Sequence, residues 1–294
     1  MGVLNEKRCK ENDKGESVHL HDFVGKLLVI MSFLTSASSI QIILKGSSAI
    51  NYYAHVDSLD LDFGFYCADN TVSSEKLEKL SCGISFFLMN LFRSYFKNRA
   101  SFCFDHGSFK DENNYCCTLK FNLLCIADKI NCVRKNRVTN RVSGMPLIDF
   151  NFGSRHGGRF RETKYSLVYN KETGSLSKID KANRERNSSK PNLIFGYLNL
   201  PTIESLIEER VYFLTLYSQQ KTDINFDTLE KDVIAKRDPI LFYIHKTIKQ
   251  TYVLLHANGE NPLDTLRSTF AAVQRHQSEF PDFESVPIFQ HIIS

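Results

Sequence analysis

The 294-residue chain has eight cysteines, at positions 9, 67, 82, 103, 116, 117, 125 and 132, and no Cys-x-x-Cys pair among them. That spacing excludes the usual zinc-finger and zinc-ribbon frames. Most of the cysteines sit in or beside apolar runs, as the reduced thiols of an intracellular protein do. Long apolar runs are also lacking. The richest stretch, Lys26 to Leu44, is broken by Ser32, Thr35, Ser36, Ser38, Ser39 and Gln41, which argues against a membrane span. Met1 to Ser17 is polar and charged rather than signal-like, and Glu6 stands where a myristoylation site takes Ser or Thr. Charge of one sign is scarce too: a net +4 neither requires nor excludes a nucleic-acid partner. These absences point to a cytoplasmic chain with no membrane partner. Its 42% hydrophobic content argues against disorder, and its length suffices for one large domain or two small ones.

What is present concentrates between Ile42 and Phe65. Ile42 to Leu44 is a short apolar run that reads as a buried strand. Lys45-Gly46-Ser47-Ser48 is a small-residue turn, and Ala49 to Tyr53 reads as the start of a helix behind it. From Ser58 the chain alternates. Leu59, Leu61, Phe63 and Phe65 take one face, while Ser58, Asp60, Asp62 and Gly64 take the other. A strand of period two sets Asp60 and Asp62 side by side. Two carboxylates so placed repel unless a cation lies between them. Mg²⁺ suits the position, because it takes few protein carboxylates and completes its shell with phosphate oxygens and water.

Lys-Gly-Ser-Ser-Ala followed by Ser-x-Asp-x-Asp-Phe resembles the Gly-Ser…Asp-x-Asp signature of the polymerase β-like nucleotidyltransferase superfamily. Within it, the AbiEii-type, type IV toxin-like group is the nearest in flavour. Twelve residues separate Ser47 from Asp60, close to the family's spacing. The resemblance implies an α+β fold: a small mixed β-sheet palm domain flanked by helices, then a mainly helical C-terminal domain. It also implies a Mg²⁺ or Mn²⁺ ion, an NTP substrate, and an RNA, tRNA 3′ end or protein hydroxyl as acceptor. An antitoxin partner belongs to the same picture. A poly(A)-polymerase-like or viral RNA nucleotidyltransferase stays open as an alternative. So does a non-catalytic module of the same fold.

Read in order, the chain divides into a catalytic domain at 18–155, a basic hairpin and linker at 156–191, and a helical domain at 192–294. His19 and His21 lack a third metal ligand and read as surface residues. Ser74 caps a helix running to about Asn98. Ser101 to Phe104 and Tyr115 to Ile126 read as strands, with His106 in an Asp-His-Gly turn, and Asp128 to Arg141 as a basic loop. Asp149 lies on a later alternating strand. It is either the third carboxylate that such enzymes carry beside Asp-x-Asp or an ordinary edge-strand residue. Arg155 to Lys190 holds ten Arg and Lys against four acids, a local +6. That segment is open to two readings, a phosphate-backbone contact or a solvated linker.

The helical half begins near Pro201. There Glu208-Glu209-Arg210-Val211 resembles a family helix that carries a functional lysine, and Arg210 replaces that lysine. Arginine keeps the charge and grips phosphate in two places, but it does not shuttle protons at neutral pH. Asp238, before Pro239, is either a nucleotide-binding residue by resemblance or the N-cap of the helix that follows. The expected chemistry is positioning and electrostatics. Asp60, Asp62 and Asp149 would hold the metal, Lys45 and Arg210 would meet the triphosphate, and the Gly46-Ser47 turn would offer backbone N–H groups and a hydroxyl.

Overall fold

The computed structural model describes residues 27, 29–31, 40–56, 61–67, 74–96, 100–110, 115–123, 148–153, 164–170, 172, 175–183, 192–221, 223–236, 238–275 and 281–293. Asp60, the N-terminal arm and the basic loop after Asp128 lie outside them. The described strands are β1 (Ile40–Lys45), β2 (Leu61–Cys67), β3 (Ala100–Lys110), β4 (Tyr115–Leu123), β5 (Ile148–Gly153), β6 (Tyr165–Asn170), β7 (Ser175–Asp180) and β8 (Leu193–Leu200). They form one sheet in the order β3-β4-β5-β2-β1-β8-β6-β7. The pairs β1–β8 and β2–β5 are parallel and the others antiparallel. The helices whose bounds are described are α1 (Gly46–Ile50), α2 (Ser74–Phe96), α3 (Ile203–Gln220), α4 (Leu229–Lys236), α5 (Pro239–Asn258), α6 (Pro262–Gln274) and α7 (Pro287–Ile293). The fold is α+β with a mixed sheet, the class expected from the sequence. Among the described residues no helix is long and apolar enough to cross a membrane.

β1 lies inside the sheet, between β2 and β8. Its successive residues Ile42, Ile43 and Leu44 are all buried, so both faces of the strand are covered. That double covering explains why the strand reads as a continuous apolar run. On β2, Phe63 and Phe65 are buried, while Asp62, between Leu61 and Phe63, keeps partial exposure. β6 and β7 form the hairpin expected at Tyr165 to Tyr169, and it joins the sheet through β8. Within that basic stretch, the Lys178 ammonium lies 4.4 Å from the Tyr53 ring centroid and 4.6 Å from that of Tyr165. The cation is thus held over two aromatic faces.

The helical part packs α3 against α5 and α6, with α4 and α7 on α5. Leu206, Ile207, Val211 and Leu214 of α3 meet Leu241, Ile244 and Leu255 of α5 and Leu266 and Phe270 of α6 in one apolar core, shared with Ile42, Leu44 and Phe65 of the sheet. Local capping sets where these helices begin. Thr202 accepts from the Ser205 amide at 3.2 Å, Asp238 from Ile240 at 2.8 Å, and Asn261 from Leu263 at 3.0 Å and Asp264 at 3.2 Å. Each side chain satisfies amides that the first helical turn leaves without a partner.

Two local expectations shift. The helix after the turn starts at Gly46, not Ala49, and ends at Ile50, giving way to a turn over Asn51–Tyr53. His106 lies within β3 and not in a tight turn: the ladder to β4 shifts register between Asp105 and Phe109, so the Asp-His-Gly segment is accommodated as a bulge. Asn261→Ala removes the acceptor that starts α6, and about 1 kcal/mol of stability should go with it. Chemical denaturation reads this, and an unchanged midpoint would mean the cap does not hold that helix start.

Candidate functional site

The site is built where β1 ends and the chain turns back toward β2. Lys45 is the last residue of β1 and pairs in register with Asp62 of β2. Directly opposed residues of an antiparallel pair share a face of the sheet. On its other side, Asp62 is in register with Asp149 of β5, and Asp149 with Lys120 of β4. Lys120, Asp149, Asp62 and Lys45 thus occupy one row across four adjacent strands. Two carboxylate positions lie in the middle and a lysine position at each end. Among the described side chains no group of three or more His, Cys, Asp or Glu gathers as a metal-binding cluster.

Between Lys45 and Asp62 lies Gly46, whose φ of 61° is in the left-handed region. A Cβ on Gly46 would overlap Oδ2 of Asp62. Glycine is therefore required twice over, for the backbone angle and for the room it leaves the carboxylate. Ser47 follows in the first turn of α1. It is 1% exposed, and its hydroxyl has no hydrogen-bond partner among the described residues. α1 has only five residues. Any phosphate at this turn would be met by local amides and the Ser47 hydroxyl rather than by the dipole of a long helix.

The helical half contributes from α3. Glu209 is 3% exposed and Arg210 is 8% exposed, both unusually buried for charged residues. Oε1 of Glu209 lies 3.9 Å from Nζ of Lys45, and Oε2 lies 2.5 Å from the Arg210 guanidinium. Arg210 also donates to Oε1 of Gln250 on α5 at 2.9 Å, while its Nε has no partner among the described residues. The guanidinium carbon lies 5.8 Å from the centroid of the Phe213 ring. From there Phe213 stacks on Tyr217 at 6.0 Å, and Tyr217 on Tyr243 of α5 at 6.2 Å. Burial and the neighbouring Tyr243 raise the Tyr217 phenol above its usual range, so it stays protonated at neutral pH.

Lys45, Gly46, Ser47, Asp62 and Arg210 are therefore brought into one neighbourhood, linked through Glu209. Asp149 takes its place by register beside Asp62, and Asp60 falls outside the described residues. Asp238 lies elsewhere. It caps α5 and accepts from Lys221 at 2.9 Å, twelve residues before Gln250, or about 18 Å along the helix axis. The hydrogen bond from Lys221 holds the Asp238 carboxyl below its ordinary range, aided by the Ile240 amide, and the same bond raises Lys221. Sequence reasoning passed over Glu209. The only signal was an acid beside Arg210, flanking the apolar stripe Leu206, Ile207 and Val211. An adjacent acid–base pair is ordinary on a solvated helix, and only the packing of α3 reveals that this one is buried.

Comparison with known proteins adds little to this geometry. No family model matches the chain, and no curated protein matches it. Among solved structures, it is similar to a crystal structure from H. pylori described as a candidate nucleotidyltransferase, with a TM-score of 0.28 and 11% identity over 95% of this chain and 96% of that one. It is also similar to JHP933 from Helicobacter pylori, with a TM-score of 0.29 and 12% identity over 96% of this chain and 94% of that one. Likenesses at that level carry no argument about activity, and the reading of the site rests on its residues.

Two outcomes follow from this geometry. Gly46→Ala forces a side chain into the left-handed region and onto Asp62, and should lower stability by about 1–2 kcal/mol. Thermal or chemical denaturation checks it, and an unchanged stability would show that the turn relaxes freely. Asp238→Asn keeps a capping side chain but removes the ion pair. Because the folded carboxyl titrates below its unfolded value, the pair stabilises fully above the unfolded value of about 3.9 and is lost as pH falls through the folded one. The stability gap between wild type and Asp238→Asn should therefore be widest near neutrality and close in acid. A gap that is constant with pH would remove the ion pair from the account.

Proposed function

We propose that this chain is an NTP-dependent nucleotidyltransferase that moves NMP from an NTP onto an acceptor hydroxyl. The observation that carries the reading is the contact of the Gly46 turn with the Asp62 carboxylate, in register with Lys45 on one side and Asp149 on the other. A carboxylate row beside a glycine-serine turn suits a hard divalent ion and a polyphosphate together. The donor chemistry fits: Asp62 and Asp149, with Asp60 two residues before Asp62, are the oxygen ligands that Mg²⁺ or Mn²⁺ favours. When bound, that ion would supply charge neutralisation on the phosphates and acidify the attacking hydroxyl.

The chain's own residues do the rest. Lys45 and Arg210 face the phosphate chain from the sheet and from the helices. Gly46 leaves room for the Asp62 carboxylate at the turn, and Ser47 offers a buried hydroxyl without a partner among the described residues. Phe213, Tyr217 and Tyr243 continue from Arg210 as a ladder of rings, flat faces of the kind on which bases stack. Positioning and fixed charge perform the transfer, with no covalent enzyme intermediate required.

The AbiEii-type, toxin-like branch is the finer reading, on the strength of the Lys-Gly-Ser-Ser-Ala and Asp-x-Asp-Phe residues. It brings with it a cytoplasmic setting, an RNA, tRNA or protein acceptor and an antitoxin. Incubation with each labelled NTP, Mg²⁺ and either total tRNA or cell lysate tests it directly. Label on RNA or on protein identifies the acceptor, while no label under any condition would leave a binding module. Asp62→Asn and Asp60→Asn should each bring labelling to background with the melting temperature nearly unchanged. Full labelling by either variant would refute the assignment.

A further inference from the structure

Most of the charge around the candidate site is opposed in pairs, but Glu209 is shared. It reaches Lys45, at the end of a strand, with one carboxylate oxygen and Arg210, on a helix, with the other. The pairs Lys79–Glu75, Lys221–Asp238 and Lys249–Glu230, by contrast, are each confined to one layer. The carboxylate is 3% exposed and Arg210 8% exposed, so neither charge is screened as a surface pair is. Arg210 is held on its other side by the Gln250 amide oxygen, while its Nε, like Ser47 Oγ, is buried without a partner among the described residues.

We infer that Glu209 is a positioning residue: it holds Lys45 and Arg210 together as a two-cation clamp for the phosphate chain of a nucleotide. The identity of the ligand rests on the nucleotidyltransferase reading, but the clamp itself rests on the contacts. Two cations brought this close repel each other and would splay apart. A buried carboxylate bridging them fixes the spacing at which both meet one polyanion. Arg210 is adjacent to Glu209 in sequence, so α3 presents cation and anchor from a single turn. Lys45 is the partner that Glu209 recruits from the other layer.

This role predicts the opposite of simple electrostatics. A carboxylate beside an anion site should repel the anion, so its removal would tighten binding if Glu209 were only a neutralising partner. If Glu209 positions the cations, its removal weakens binding. The probe is inorganic triphosphate without divalent metal, titrated calorimetrically into the 294-residue chain. Wild type should bind it. Glu209→Gln should bind about tenfold more weakly, a change of about 1.4 kcal/mol. Glu209→Asp keeps the charge but is one methylene shorter, and should also weaken binding. Lys45→Met should weaken it too, and the Glu209→Gln/Lys45→Met double variant should lose less than the sum of the two, because both act through one contact.

Melting curves establish that each variant is folded. If Glu209→Gln does not fold, Glu209→Asp decides alone, since pure electrostatics predicts no change for it. Unchanged or tighter binding by a folded Glu209 variant overturns the inference, as does a wild type that does not bind triphosphate. Triphosphate binding that depends on Glu209, in a chain that labels neither RNA nor protein, would keep the clamp and discard the transferase reading. Nucleotide labelling by a Glu209→Gln variant with undiminished triphosphate affinity would do the reverse.

Discussion

The register of β1 against β2 is the constraint on which the rest of the site depends. With Lys45 opposite Asp62, the glycine after the strand end falls against the Asp62 carboxylate, and only glycine can stand there. A slip of one residue would turn Asp62 to the other face of the sheet and bring an apolar neighbour to the turn. The slip is opposed by the core. Ile42, Ile43 and Leu44 are buried on both faces of β1, and Phe63 and Phe65 are buried on β2, so any shift in register would drive large apolar side chains out of their packing. Burying each is worth about 1.5–3 kcal/mol. The apolar strand interior thus fixes the position of the polar end, and the row of register positions continues from β2 to Asp149 and Lys120.

The helical layer completes the site by setting buried charge against that edge. Buried ions are costly, and they persist only where partners compensate them. Arg210 has two, Glu209 and Gln250, and Glu209 in turn has Lys45 as well. The cluster therefore ties the middle of α3 to the end of β1 and to the middle of α5. Tyr53 adds a neutral tie close by, its hydroxyl donating to the Pro201 carbonyl at 2.6 Å just before α3 begins. The aromatic ladder through Phe213, Tyr217 and Tyr243 then holds α3 to α5 beyond the charged cluster. Packing and charge thus act along the same line.

Charged residues that look alike in sequence take different roles for reasons of depth. Asp238 and Glu209 both sit beside a basic residue at or in a helix. Asp238 caps a half-buried helix start and pairs with a half-buried lysine, a local arrangement that serves α5. Glu209 lies on the buried side of its helix and pairs across layers. Lys178, one of the ten cations in the basic stretch, spends its charge on the faces of Tyr53 and Tyr165.

Period and turn chemistry were enough to read much of this protein directly. The Ile42 to Leu44 run, the acid–apolar alternation reaching Phe65, the Asp238 cap and Pro239 at a helix start are local signals, and local geometry obeys them. The α+β class was what the resemblance of the turn and the alternating acids implied. The turn residues Lys45, Gly46 and Ser47 and the acid Asp62 were legible because glycine, small residues and alternating acids carry their meaning within a few positions. Tertiary structure alone decided what meets across strands and layers. That Asp62 stands between Lys45 and Asp149 depends on strand order, which brings β5 beside β2 from more than eighty residues away. That Glu209 is a buried bridge and Asp238 a distant cap depends on how α3 and α5 dock. Neither follows from spacing along the chain, because burial is a property of the partner surface and not of the residue itself.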